Sequence, residues 1–229
     1  MPCSFSGDRF KPLQELFVPL FPLEIVLLPD EILPLHIFED RYKQMIGECL
    51  AKGQPSPPEA EFGVVWAQED KLQTVGCTAS VAQVMRYYDD GRLDILTVGR
   101  RRFEILLTNR DKPYLRGAVT FFEDDDLARP AASEVERAGG LLEQVLRRLK
   151  TADESSPVPS NARSISFQIA ACLPLGLEFK QQILAMRSER ERLHRITKAM
   201  ERLIPALDLR EKARTKASGN GNARSGESR

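Results

Sequence analysis

Chemistry at neutral pH asks for an imidazole, a thiolate, a pair of carboxylates or a bound metal, and this chain is sparing with the first two. It has two histidines, His36 and His194, and four cysteines, Cys3, Cys49, Cys77 and Cys172. The cysteines are scattered, with no C-x-x-C pair and no histidine at ligand spacing, so no zinc set and no other cofactor is expected. Free thiols, buried or half-buried in a reducing compartment, are the expected state. His194 stands among charged residues of a predicted helix and reads as a partly exposed structural side chain. His36 lies between Leu35 and Ile37 on a predicted strand and points to the face opposite them, so it reads as a hydrogen-bonded structural histidine. Carboxylates adjoin at Asp89-Asp90 and from Asp124 to Asp126, in stretches where chain reversal favours them anyway. No G-x-x-x-x-G-K-[ST] loop, G-x-S-x-G elbow or H-E-x-x-H helix occurs, and the G-x-G at Gly219-Asn220-Gly221 follows no strand. A non-catalytic protein is expected.

These residues sit in a chain of 229 that is 42% hydrophobic and 29% charged, enough apolar material for a core without metals or disulfides. Lys plus Arg equals Asp plus Glu, at 33 each, unlike the basic stripe of a dedicated nucleic-acid binder. Glu15, Pro19, Pro22 and Glu24 interrupt the apolar stretch 13–28, which therefore reads as neither a signal peptide nor a membrane span. A cytoplasmic protein without a membrane partner is expected.

The first half has the period of strands. Runs over 16–20 and 32–38 hold prolines, which cannot donate to a ladder, so both are expected at edges or bulges and not in central strands. Runs over 62–66, 81–88, 93–98, 103–107 and 114–122 read as further strands, with Asp89-Asp90-Gly91 as a type I′ hairpin turn. One helix interrupts them over 39–50, with its apolar stripe at Tyr42, Met45, Ile46, Cys49 and Leu50. A loop is expected over 53–58. Past Arg129 the period is helical. Val135, Ala138, Leu142, Val145 and Leu149 form one stripe, read as the side of an intramolecular bundle. A polar connector over 151–161 leads to helices over 164–172 and 177–186, parted by Pro174 and Gly176, and then to a last helix over 188–207. The expected organisation is a β-rich part over 12–126, a helical bundle over 127–208 and a disordered basic tail over 209–229.

The run Leu20-Phe21-Pro22-Leu23-Glu24-Ile25-Val26-Leu27-Leu28-Pro29, followed by Leu33-Pro34-Leu35-His36-Ile37-Phe38-Glu39-Asp40-Arg41-Tyr42, resembles the opening of the Lon N-terminal, substrate-binding domain family. A Phe-Gly-Val-Val strand, a Val-Gly-Cys-Thr-Ala strand, an Asp-Gly-Arg hairpin and a Gly-Arg-Arg-Arg-Phe step follow in the family's order. Leu173-Pro174-Leu175-Gly176-Leu177-Glu178-Phe179-Lys180-Gln181 is similar to its later helix junction. The resemblance implies an α+β fold: a β-rich, PUA-like pseudo-barrel with one inserted helix, followed by a C-terminal helical bundle. It implies structural roles for Pro34, His36, Phe38, Glu39, Arg41 and Tyr42. The ATPase and Ser–Lys protease modules of full-length Lon are absent from this sequence, so a stand-alone, non-catalytic member is implied.

The function that follows is polypeptide binding, as an adaptor or regulator of proteolysis. Proline-bearing strands leave unpaired edges that accept an extended peptide, and Trp66, Tyr88, Phe121 and Phe122 are candidates to line such a surface. Ordinary core packing is the competing reading for each of the four. The expected partners are unfolded or extended polypeptides, with a protease or chaperone as the machinery served. The alternative is RNA binding, through the PUA-like β part, Arg100, Arg101 and Arg102, and the basic tail.

Overall fold

The structure, a computed structural model, describes residues 17–51, 61–69, 71–125, 129–149 and 164–219, with side chains as far as 214. The loop over 53–58, the connector over 151–161, Cys3, Asp126 and the chain beyond 219 lie outside the described residues. The strands are β1 (Phe17–Leu23), β2 (Ile32–Ile37), β3 (Glu61–Gln68), β4 (Lys71–Leu72), β5 (Val75–Tyr87), β6 (Leu93–Asn109) and β7 (Arg116–Phe121). The helices are α1 (Asp40–Ala51), between β2 and β3, and then α2 (Ala132–Leu149), α3 (Ile165–Ala171), α4 (Leu177–Ala185) and α5 (Glu189–Gly219). The fold mixes strand and helix as the patterning predicts, with α1 carrying the expected buried stripe of Tyr42, Met45, Ile46 and Cys49.

Strand pairing runs β1-β7-β6-β5-β3 and returns, because β1 also pairs in parallel with β3. The sheet thus closes into a ring, which removes its own edges. Leu20, Val65 and Phe103 form a small apolar cluster within the sheet. A larger cluster joins Phe21, Ile37, Met45, Phe62 and Ile95 to Phe167, Ile183, Leu193 and Met200, so strands and helices share one continuous core. Within the helical part, the α2 stripe meets α5, burying Ala138, Leu142 and Val145.

Three expectations about the strands need correcting. β1, expected at an edge, is paired on both sides. Its prolines are tolerated because the strand changes partner along its length. Residues 17–19 pair with β7 and residues 20–23 pair with β3. The amide of Leu20 donates to Leu115 O on the β7 side, at 2.8 Å. By the two-residue alternation of a strand, the nitrogen of Pro19 faces β3 before that ladder starts, and that of Pro22 faces β7 after that ladder ends. The second correction concerns the hairpin. Its turn has three residues between Tyr88 and Arg92, closed by Tyr88 N–H to Arg92 O (3.0 Å) and Gly91 N–H to Tyr88 O (2.9 Å). Only Gly91 takes a positive φ, at 81°, which is the arrangement of a type I turn plus a left-handed glycine, not type I′. Third, the strands expected over 93–98 and 103–107 are one continuous 17-residue strand. Register shifts in the β5–β6 pairing bend this long hairpin, so that the first half of β6 holds β2 and its second half holds β7.

The helix expected to end near Leu207, before a disordered tail, instead continues through Pro205 to Gly219. Residues 209–214 (Leu-Arg-Glu-Lys-Ala-Arg) are good helix formers, and the Arg148 side chain holds Asp208 at 2.6 Å. High polarity alone did not reveal a helix whose preceding turns are held against α2.

A buried ionic network ties β6 to the helices. Arg192 of α5, with no exposed surface, grips Asp124 bidentately, with Nη1 to Oδ1 and Nη2 to Oδ2 both 2.6 Å. Arg102 of β6 donates to the same carboxylate at 2.7 Å and to Met186 O at 2.5 Å. Glu189, Ser164 and Ser166 complete the cluster around Arg192, and its guanidinium lies 4.3 Å from the centre of the Phe167 ring. Burial alone would raise the Asp124 pKa, but hydrogen bonds and charge from Arg192 and Arg102 outweigh it and hold the carboxyl below its ordinary range.

Candidate functional site

The residues 34–42 build a strand–turn–helix corner. Pro34 and His36 are exposed on β2, opposite Leu96 and Asp94 of β6. His36 Nδ1 lies 2.5 Å from Asp94 Oδ1, and the Tyr88 hydroxyl donates to Asp94 Oδ2 at 2.7 Å. The His36 hydrogen bond, then that from Tyr88, holds the Asp94 carboxyl below its ordinary range. Phe38 is exposed and lies parallel to the His36 ring, with the centroids 6.0 Å apart. Glu39 caps α1, its carbonyl accepting from the amides of Tyr42 and Lys43, while Arg41 Nε donates to its carboxylate at 2.8 Å. Tyr42 turns inward against Phe21, with ring centroids 4.1 Å apart, and carries the Arg41 guanidinium on its other side.

β2 pairs with β6 and, among the described residues, with no other strand. The orientation of its open edge follows from one bond. Gly99 N–H donates to Glu31 O at 2.9 Å, so the carbonyl of Glu31 faces β6. By alternation Leu33, Leu35 and Ile37 face β6 with their amides, and Ile32, Pro34 and His36 turn theirs outward. The open edge therefore presents both backbone groups at Ile32 and His36 and an acceptor alone at Pro34. Pro34 sits where its missing N–H disturbs no internal ladder, as expected from the sequence.

Two cavities flank this edge. One, of about 180 Å³, is lined by Ile25, Val26, Leu27, Leu33, Leu175 and Leu177, with the Lys180–Glu31 ion pair (2.9 Å) at its side. The other, of about 240 Å³, is lined by Phe21, Leu23, Leu35, Phe38 and Tyr42, with His36 and Glu39 at its rim. Leu33 and Leu35 are two residues apart on one face of β2, and Leu23 and Ile25 are two apart on the segment before it. The first cavity therefore adjoins Leu33 and the second Leu35, successive side chains on one face of β2. Gly99 fixes the near wall, since a Cβ there would meet Leu28 O at 2.1 Å. Glu31 also accepts from the Leu28 amide, and Gln181 Nε2 donates to Val75 O, so α4 is tied to the loop before β2 through Lys180–Glu31 and to the start of β5 through Gln181.

The four aromatic candidates do not converge. Trp66 is buried in β3, and Phe122 is buried beneath the Arg102 and Arg187 guanidinium groups. Phe121 packs beside the small sheet cluster under Arg101. Tyr88 alone reaches the corner, through Asp94. The residues that sequence reasoning missed are Leu23, Ile25, Leu33, Leu35, Leu175 and Leu177. Leu33 and Leu35 alternate with exposed neighbours on β2, but the residues 32–35 are all apolar, so no contrast in polarity marked the two that face the cavities. The three adjacent arginines also part company. Arg100 bonds Ser80, Arg101 pairs with buried Glu61, and Arg102 is buried on Asp124. Asp124, read as a chain-reversal carboxylate, is the hub of the buried network.

Nothing in this arrangement activates a nucleophile. Burial pushes the Cys77 thiol far above its ordinary range, and that of Cys172 upward also. His194 is exposed on α5. Among the described residues no three His, Cys, Asp or Glu side chains cluster to hold a metal, and no helix is long and apolar enough to cross a membrane.

Known proteins share this architecture. The chain is 26% identical over 211 residues to the Lon protease of Buchnera aphidicola, covering 87% of this chain and 26% of that protein. Against the Lon protease of Escherichia coli it is 24% identical over 219 residues, covering 89% and 27% respectively. It therefore spans about a quarter of the length of these relatives. Among solved structures, a Lon N-terminal domain protein from Xanthomonas campestris superposes with a TM-score of 0.59 at 24% identity, covering 79% of this chain and 96% of that one. The N-terminal domain of the Mycobacterium avium complex Lon protease gives 0.60 at 17%, covering 81% and 98%. The family profile described as the ATP-dependent protease La (LON) substrate-binding domain matches residues 18–202, and this chain belongs to that family.

Proposed function

We propose that this chain is a non-catalytic, cytoplasmic polypeptide-binding module that takes an extended segment along the open edge of β2, as an adaptor or regulator of proteolysis. One observation carries the reading. Among the described residues β2 has one unpaired edge, and Leu33 and Leu35, two apart on one face of that strand, each line an apolar cavity. Main-chain bonds to Ile32, Pro34 and His36 would supply affinity for any sequence, and the cavities would select for apolar side chains at two positions. Membership of a substrate-binding domain family supports the same reading. The closed ring of strands supports a PUA-like pseudo-barrel followed by a bundle as the frame. The RNA alternative gains no such support, because Arg101 and Arg102 are both engaged by carboxylates.

The test is capture of a permanently unfolded probe, a reduced and carboxymethylated globular protein, against its native form. The unfolded form alone should bind. Ile32→Pro removes an outward N–H without touching the β2–β6 ladder, so it should weaken capture at least about ten-fold, near the loss of one well-made bond, with the melting temperature held. Equal capture by Ile32→Pro would remove the β2 edge from the mechanism. No capture of the unfolded probe by the unaltered protein would end the reading itself.

A further inference from the structure

We infer that the groove beside β2 selects extended segments bearing lysine or arginine next to the apolar residues that fill its cavities. The inference rests on the polypeptide-binding reading and names its substrate class. Residues 17–40, which supply β1, β2 and the segment between them, contain no Lys or Arg but hold Glu24, Asp30, Glu31, Glu39 and Asp40. Two of these carboxylates line the cavities and the other three adjoin lining residues in the chain. Glu31 lines the first cavity and Glu39 the second. Glu24 stands exposed between Leu23 and Ile25, one residue from each cavity wall. Asp30 is exposed in a left-handed conformation, φ 63°, anchored by its amide to Gly99 O at 2.9 Å.

Compensation is incomplete. Lys180 answers Glu31, Arg41 answers Glu39, and Lys43 reaches Asp40 at 3.2 Å while also bonding Asp90 O. Glu24 and Asp30 have no ion-pair partner among the described residues. Arg86 and Arg100 belong to β5 and β6, on the far side of β2 from its open edge. A strand laid along the open edge therefore meets apolar cavities bounded by surplus negative charge. A cationic side chain flanking two apolar ones gains from that field, and an acidic one is repelled by it.

The experiment uses three fluorescein-labelled peptides read by anisotropy with the full chain: Gly-Lys-Leu-Ser-Phe-Lys-Gly, and the same sequence with both lysines replaced by glutamine or by glutamate. At about 50 mM salt the lysine peptide should bind about five-fold tighter than the glutamine peptide, and the glutamate peptide about five-fold weaker. Near about 0.5 M salt the three should converge. The double variant Glu24→Gln, Asp30→Asn should bring the lysine-to-glutamine ratio close to one. Equal affinities at low salt would overturn the charge selectivity and leave polypeptide binding standing. A preference that survives in the double variant would overturn the assignment to these carboxylates. If even the glutamine peptide failed to bind, the polypeptide-binding reading would fall with it.

Discussion

The start and the middle of β6 set carboxylates against nitrogen-bearing side chains to opposite purposes. Near its start Asp94 meets His36 and Tyr88 in a cluster at the protein surface, with side chains 34% to 44% exposed across the His36–Asp94 pair. Eight residues later Arg102 meets Asp124 and Arg192 in a cluster where the arginines are 6% and 1% exposed. Water screens the first pair and can replace either partner, so it orients a surface at little energetic consequence. In the second the two arginines are shut away from water and share the partly exposed Asp124, so each of these charges depends on the others, and the helices are tied to the strands. A carboxylate set beside a nitrogen-bearing side chain and an aromatic ring is thus a surface feature near the start of β6 and a structural clamp near its middle. Burial decides which.

That contrast can be broken by substitution, most severely at the clamp. Asp124→Ala strands Arg102 and Arg192 without a counter-charge and should lower the unfolding free energy by about 3–5 kcal/mol, read by urea denaturation. A loss below about 1 kcal/mol would show that the network is dispensable. Gly99→Ala drives a Cβ into Leu28 O. It should cost about 1–3 kcal/mol in the same assay and weaken peptide capture, because the wall of the groove has to move.

A third cluster lies between the extremes and sharpens the comparison. Hydrogen bonds from Lys112, first, and Tyr114 lower the Glu48 pKa to about 2. The folded pKa lies below the unfolded value, so this carboxylate's contribution to stability is complete above about 4.5 and disappears as pH falls through about 2. In Glu48→Gln the melting temperature should fall less steeply over that acid window than in the unaltered protein; parallel curves would remove Glu48 from the acid response. The smallest effect is expected at the exposed end of β6. Asp94→Asn should move the melting temperature by about 1 °C or less, and a large drop would place that cluster with the clamp.

Local pattern made much of the frame legible. The α1 stripe, the hairpin over 81–98 and the α2 stripe were visible because each is a short-range repeat whose period reports its own secondary structure. The motif over 20–42 was legible as a family resemblance, and the edge position of Pro34 followed from its missing donor. Elsewhere a local rule was right and its application wrong. Pro19 and Pro22 do avoid donating, yet β1 is paired on both sides, because the strand exchanges partners between them. The run Arg100-Arg101-Arg102 looked like one basic patch. Alternation and a bend in the hairpin send its members to Ser80, Glu61 and Asp124.

What the sequence determined by itself is the identity of the elements and the family to which they belong, since hydrophobic period, turn residues and linear motifs are properties of neighbours in the chain. What only the tertiary structure decided is partnership. Leu23 and Ile25 face Leu33 and Leu35 across a groove, Leu175 and Leu177 close one end of it, and a carboxylate at 124 joins arginines at 102 and 192. Each of those choices is made by burial and by contacts between residues distant in the chain, which no window along the sequence contains.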